Sequence, residues 1–292
     1  MDHRAANLNA GERRFACTRC GACCNRAPEL ELGEVAALAD VFVLRLMMRI
    51  YSLPRSLADY QTDQPRDQAS AEFYESKRLL GQFAAASWPI KARRDGKVVD
   101  YVQYLNLSVL PLELGQARCP ALTGASCSIY ESRPLSCRSV PLHYSRPAAT
   151  AARDLDAFVA SPGFACSTDP DAPMLIADYA IVDAQTLAAR TDSAAQAEQD
   201  RAWKAALVKA MKTGQFGLPS PKEVEAQAGR GALTASMLPA WRTAQREGIL
   251  VAQPLLEAQC ETIERTLNRT SLDGDAVATL TAMLQEYRAA LA

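Results

Sequence analysis

The chain has 292 residues, 49% hydrophobic and 22% charged, so it can bury the core of one large domain or of two modest ones. Its formal net charge of −1 creates no field that would gather nucleic acid, and Arg13-Arg14 and Lys91/Arg93/Arg94 are short clusters that read as solvated surface. Residues 1–14 carry no apolar signal core, which makes the cytoplasm the expected compartment, and the longest apolar stretch, 35–53, is broken by Asp40, Arg45 and Arg49, so no membrane span is expected.

In chain order, the first feature is the run Cys17-Thr-Arg-Cys20-Gly-Ala-Cys23-Cys24, a C-x2-C-x2-C-C pattern. Leu32 to Met48 then reads as one helix, with Val35, Leu38, Ala39, Phe42 and Leu46 on one face and Ile50 extending the stripe. A second helix is predicted over about 69–83, with Pro54 and Pro65 punctuating the gap. Asp95-Gly96, between 89–93 and 97–102, is a hairpin signal because that turn needs positive φ; 98–109, rich in β-branched and aromatic residues, should be strand. Residues 119–137 read as loop-rich, with a Thr123-Gly124 turn and a second cysteine group at Cys119, Cys127 and Cys137; Cys166 follows a Pro-Gly turn. From Asp171 the composition becomes Ala- and Gln-rich, and helices are predicted over 183–212, 221–228, 236–247, 253–268 and 273–291. Trp203 and Trp241 belong to their core, and Gly229-Arg-Gly231 is too short for a phosphate loop. The expected fold is α+β, mainly helical, with a small β hairpin beside a cysteine-built metal site. The expected division is a cysteine-cluster metal-binding domain, 1–170, and a helical C-terminal region, 171–292.

Eight of the nine cysteines lie within the first 166 residues; only Cys260, read as a buried structural thiol in a helix, falls beyond. A disulfide framework suits small secreted chains, and scattered buried thiols do not explain four cysteines in eight positions. Metal ligation explains the pattern, since cysteines two residues apart can turn both sulfurs onto one ion, at about 2.3 Å for zinc, or onto the irons of a cluster. Gly21 fits a tight ligand loop that needs positive φ, and Arg19, Arg26, Arg133 and Arg138 flank the groups with charge that favours thiolate. His143 reads as a residue packing beside the cysteine loop, with ligation or proton donation as the alternative.

These two motifs, Phe15 to Cys24 and Cys119-Pro-Ala-Leu-Thr-Gly-Ala-Ser-Cys127-Ser-Ile-Tyr130-Glu-Ser-Arg133-Pro134-Leu-Ser-Cys137-Arg138, resemble the YkgJ-type cysteine-cluster family, described as zinc- or iron-chelating with a CxxCxxCC signature. The resemblance covers roughly 15–145 and implies metal or iron–sulfur binding, with Cys17, Cys20, Cys23, Cys24, Cys119, Cys127 and Cys137 at the motif positions. Cys166 is the candidate eighth ligand. Flagellin lysine methylases look similar in carrying such a cluster, so a protein-modifying enzyme is one alternative, although no glycine-rich nucleotide loop accompanies the motif.

The metal stays open at this point. Cys17 to Cys23 overlaps the bacterial ferredoxin run, but the fourth cysteine follows at once instead of three residues later, and the Cys-Pro pair stands at Cys119-Pro120. Seven or eight cysteines with two histidines in the whole chain favour an iron–sulfur cluster, of 4Fe-4S type, with a redox or electron-transfer role and a protein redox partner. The alternative is a structural zinc that ties 17–24 to 119–137 and leaves the C-terminal helices as a partner-binding surface.

Overall fold

The computed structural model describes residues 11–292 apart from 20, 22, 23, 25–27, 63, 113–118, 125, 228 and 269–271. At its centre the chain reverses at Asp95 and Gly96, whose φ angles of 53° and 79° match the right-handed twist of the strands they join. Those strands are β3 (Ala84–Arg94) and β4 (Lys97–Pro111), the hairpin expected from the sequence. Two others precede them, β1 (Arg13–Arg14) and β2 (Leu44–Pro54). Along its whole length β2 pairs antiparallel with β4, from Leu44 opposite Pro111 to Pro54 opposite Tyr101.

The single helix expected over 32–48 is not what forms. A 3-10 turn at Leu32–Glu34 leads into α1 (Val35–Leu38); the chain then turns and continues as β2. The apolar spacing at 35, 38, 42 and 46 fits a helix, but so does a central strand buried on both faces, and periodicity alone does not separate the two. The burial of Leu44, Leu46, Met47 and Met48 shows why: successive residues of β2 bury opposite faces.

The second helix, α2 (Arg66–Phe83), contains the expected span. After β4 come the short pair β5 (Leu122–Thr123) and β6 (Ser126–Cys127), α3 (Leu135–Arg138), α4 (Ala151–Val159), and β7 (Met174–Ala177) with β8 (Ala180–Ile181). The C-terminal helices follow as expected: α5 (Ala184–Gln199), α6 (Arg201–Lys212), α7 (Pro221–Ala226), α8 (Leu238–Arg246), α9 (Gln253–Leu267) and α10 (Gly274–Leu291). Between α7 and α8 lies β9 (Leu233–Ser236), which the sequence reading did not anticipate. It pairs with β2, Arg45 opposite Ser236 and Met48 opposite Leu233, and completes a four-stranded antiparallel sheet in the order β3-β4-β2-β9.

With about 47% helix and 21% strand the fold is α+β. The largest core joins Leu46, Met48, Leu105 and Leu107 of the sheet to Trp203, Leu207, Trp241, Ile263 and Tyr287 of the helices. A second core, around Phe15, Leu142, Leu155, Leu175 and Ile176, holds β1 and β7 together under the first cysteine segment. No helix among the described residues is long and apolar enough to cross a membrane.

Candidate metal centre

Six of the described cysteines line one cavity, brought there by separate pieces of chain. The first leaves β1 in extended form. Ala16 and Ser167 exchange both backbone hydrogen bonds, at 2.9 and 3.0 Å, and Thr18 Oγ1 donates to the carbonyl of Ala165 at 3.0 Å. One step along that antiparallel bridge, Cys17 stands opposite Cys166. The backbone N–H of Arg19 points back to Cys17 Sγ at 3.4 Å, and Gly21 takes φ 72°, the positive value expected for a ligand loop. The N–H of Cys24 donates to the Gly21 carbonyl, closing the turn, and the Cys24 carbonyl accepts from the N–H of Cys119 at 3.0 Å. That bond joins the two motifs directly.

The second segment is folded tightly on itself. Gly124, at φ 64°, turns β5 into β6 as the Thr123-Gly124 pair predicts, and the Ala121 carbonyl accepts from both the N–H and the hydroxyl of Ser128. Pro134 then starts α3, which carries Cys137. Its first N–H, that of Leu135, donates to Glu34 Oε1 at 2.8 Å, while Glu34 Oε2 accepts from the N–H of Glu31 at 2.9 Å. A carboxylate beside the sheet thus fixes the orientation of a cysteine-bearing turn. Burial raises the pKa of Glu34, and the two backbone donors offset part of the rise.

Cys17, Cys24, Cys119, Cys127, Cys137 and Cys166 all line one cavity of about 750 Å3. Cys20 and Cys23 lie outside the described residues, as does Arg26. Cys119, Cys127 and Cys137 are close enough to feel one another's charge. Burial, and then the neighbouring Cys119 and Cys127, push the Cys137 thiol up to about 12, with the Arg133 charge working the other way. Burial likewise raises Cys119, with Cys127 adding to the rise. Ionising three such thiols together needs a compensating cation, and a thiophilic metal is the cation that sulfur donors select. Among the described residues, no three cysteine, histidine, aspartate or glutamate side chains are already drawn into a metal-holding group. The sulfur of the lining cysteines fits a soft metal in kind, and Cys20 and Cys23, the other two candidates of the first motif, lie outside the described residues.

His143 also lines the cavity, but its Nδ1 lies 2.8 Å from Ser145 Oγ and its ring stacks on Tyr144. Burial first, then Arg146 and Arg190, lower its pKa to about 4, so it stays neutral at pH 7. This is the packing role expected from the sequence. Arg19, Arg133 and Arg138 all line the cavity, and Arg138 also pairs with Asp192 at 3.0 Å. Cys260 is buried in the main core on α9, well apart from the cavity lining. Sequence reasoning missed Glu34, and also Ser136, a buried hydroxyl in the cavity wall whose contact with the Cys137 thiol works against the rise in that thiol's pKa.

The family model described as CxxCxxCC, putative zinc- or iron-chelating domain, matches residues 16–161, half of the chain. The chain is a member of the CxxCxxCC family. The match runs from the residue before Cys17 to the loop after α4, so the seven cysteines of the two motifs fall inside the CxxCxxCC domain, and Cys166 falls just outside it. No curated protein and no solved structure matches the chain. Zinc or iron chelation is the property that the CxxCxxCC family is described by, and six of this member's described cysteines line the one cavity.

Proposed function

We propose that the chain holds an iron–sulfur cluster through cysteine thiolates and serves a redox or electron-transfer step with a protein partner. The observation that carries this reading is that cysteines from both motifs, and Cys166, line one cavity of about 750 Å3, where His143 Nδ1 is taken up by Ser145 Oγ. That volume is many times what a single ion occupies. The ligands are drawn from Cys17, Cys20, Cys23, Cys24, Cys119, Cys127, Cys137 and Cys166. When bound, a cluster supplies one-electron chemistry at a potential set by charge, hydrogen bonds to sulfur and solvent access. The chain's own contribution is to hold the thiolates, to place the Ser136 hydroxyl and the Arg133 guanidinium in the wall beside Cys137, and to keep His143 neutral.

A second reading, a structural zinc, is favoured by one specific feature. Cys119, Cys127 and Cys137 gather within a single short segment, and one cysteine of the first motif would complete a tetrahedral site. The deciding experiment is purification without oxygen, followed by a visible spectrum and elemental analysis. Iron and sulfide in comparable amounts with broad charge-transfer absorption support the cluster. Colourless protein with stoichiometric zinc gives the structural site. A chain that carries neither metal overturns both.

A further inference from the structure

The ring of Tyr130 lies between two guanidinium groups. Arg19 Cζ is 3.9 Å from its centroid and Arg133 Cζ is 3.7 Å from it. Two planar guanidinium groups that close to one centroid would overlap if they shared a face, so they occupy opposite faces. Arg19 belongs to the loop between Cys17 and Cys20; Tyr130 and Arg133 belong to the segment between Cys127 and Cys137. The sandwich therefore joins the two cysteine segments through a contact that contains no sulfur. All three residues line the cavity.

The details of the stack show how it is held. Arg133 Nε donates to the carbonyl of Tyr130 at 2.8 Å, which fixes that guanidinium over its own neighbour's ring. Arg19 sits at φ 57°, in the left-handed region that is costly for a residue other than glycine. Something must offset that cost, and the stack together with the N–H contact to Cys17 Sγ is what the residue makes there. Among the described residues, neither guanidinium pairs with a carboxylate. An acidic partner would orient an arginine but also neutralise it. An aromatic face orients it and leaves the full positive charge available to nearby thiolates.

We propose that the Arg19–Tyr130–Arg133 stack is a clasp that brings the two cysteine segments together before metal arrives and offsets thiolate charge once metal is held. Tyr130 is thereby a positioning residue of the centre. The inference rests on the metal-binding reading above. The charge effect rests on geometry: both guanidinium groups line the same cavity as Cys119, Cys127 and Cys137.

The test uses Zn2+ alone as the probe, in competition with a chromophoric chelator, together with hydrogen exchange of residues 15–24 in the metal-free full chain. Tyr130→Phe keeps the ring and should bind Zn2+ and exchange like the wild type. Tyr130→Leu removes both faces and should weaken binding about tenfold, about 1.4 kcal/mol, the scale of two partly exposed cation–π contacts. It should also speed exchange of 15–24 without metal present. Arg19→Gly suits φ 57°, so it relieves backbone strain while removing one face; a several-fold loss of affinity there cannot be assigned to misfolding of the loop. Tyr130→Leu and Arg19→Gly both with wild-type affinity and exchange would overturn the clasp while leaving the metal centre standing. A wild type that takes up neither Zn2+ nor iron would instead overturn the centre, and the clasp with it.

Discussion

The carboxylate of Glu34 accepts a hydrogen bond from the backbone N–H of Leu135, 101 residues further along the chain, at 2.8 Å. Its other oxygen holds the N–H of Glu31, so one side chain ties the turn before the sheet to the turn that presents Cys137. Glu34→Ala leaves two N–H groups without this acceptor and should cost about 1–3 kcal/mol of stability, with a measurable fall in metal content. Glu34→Gln keeps one acceptor oxygen and should lose less than half as much. Urea unfolding of the two variants, with metal analysis of each, checks both statements.

Metal uptake should release protons. The thiols of Cys119 and Cys137 stand above their ordinary range, so both are protonated at pH 7 in the metal-free chain. Thiolate, not thiol, binds metal, so each must lose its proton on ligation. Calorimetric titration with Zn2+ in buffers of different ionisation enthalpy should report at least two protons released per site. A buffer-independent heat would remove these two cysteines from the ligand set.

Cys137 and Cys260 offer a paired comparison, because both are thiols within the fold but only one faces the cavity. Cys137→Ser should lower metal content and the stability gained from metal. Cys260→Ala should leave metal content unchanged and cost on the order of 1 kcal/mol, the loss of one small buried group on α9.

His143 makes the chain sensitive to acid. Its folded pKa lies near 4 against 6.5 in the unfolded chain, so the neutral form is favoured by folding. That contribution is complete above pH 6.5 and is lost as pH falls from 6.5 towards 4, by about 3 kcal/mol at most. Glu29, Glu34 and Asp200 act with the opposite sign, since burial raises their pKa values and their contribution fades as pH climbs above 4.5 for the two glutamates and above 3.8 for Asp200. Comparing wild type with His143→Gln across pH 4–7 cancels the carboxylates. The difference in unfolding free energy should shrink steadily on the acid side.

How much of this was legible in the sequence follows from which signals are local. The Asp95-Gly96 turn and the strand after it were readable because the turn chemistry is carried by two adjacent residues. The C-terminal helices were readable because their amphipathic period repeats over long windows. Residues 44–54 were not, since a strand paired on both sides and buried on both faces has no alternation to detect. β9 was missed for a related reason: four residues pair only because β2 is already in place. In the site, the cysteines declared themselves by spacing. Tyr130 and Glu34 did not, because stacking between segments and a cap drawn from 101 residues away exist only in three dimensions.

The Ala16–Ser167 bridge also sets a timetable. Cys17 emerges from the ribosome early, but the partner that fixes it, and Cys166 beside it, emerge on the order of ten seconds later at ordinary rates of synthesis. β9, which completes the sheet, comes later still. Throughout that interval the nascent chain carries reduced, unshielded sulfur with no finished pocket to receive a metal. On the metal-binding reading proposed above, loading therefore waits for both segments to be made, because the cavity walls are drawn from Phe15 to Thr186, stretches of chain synthesised well apart in time.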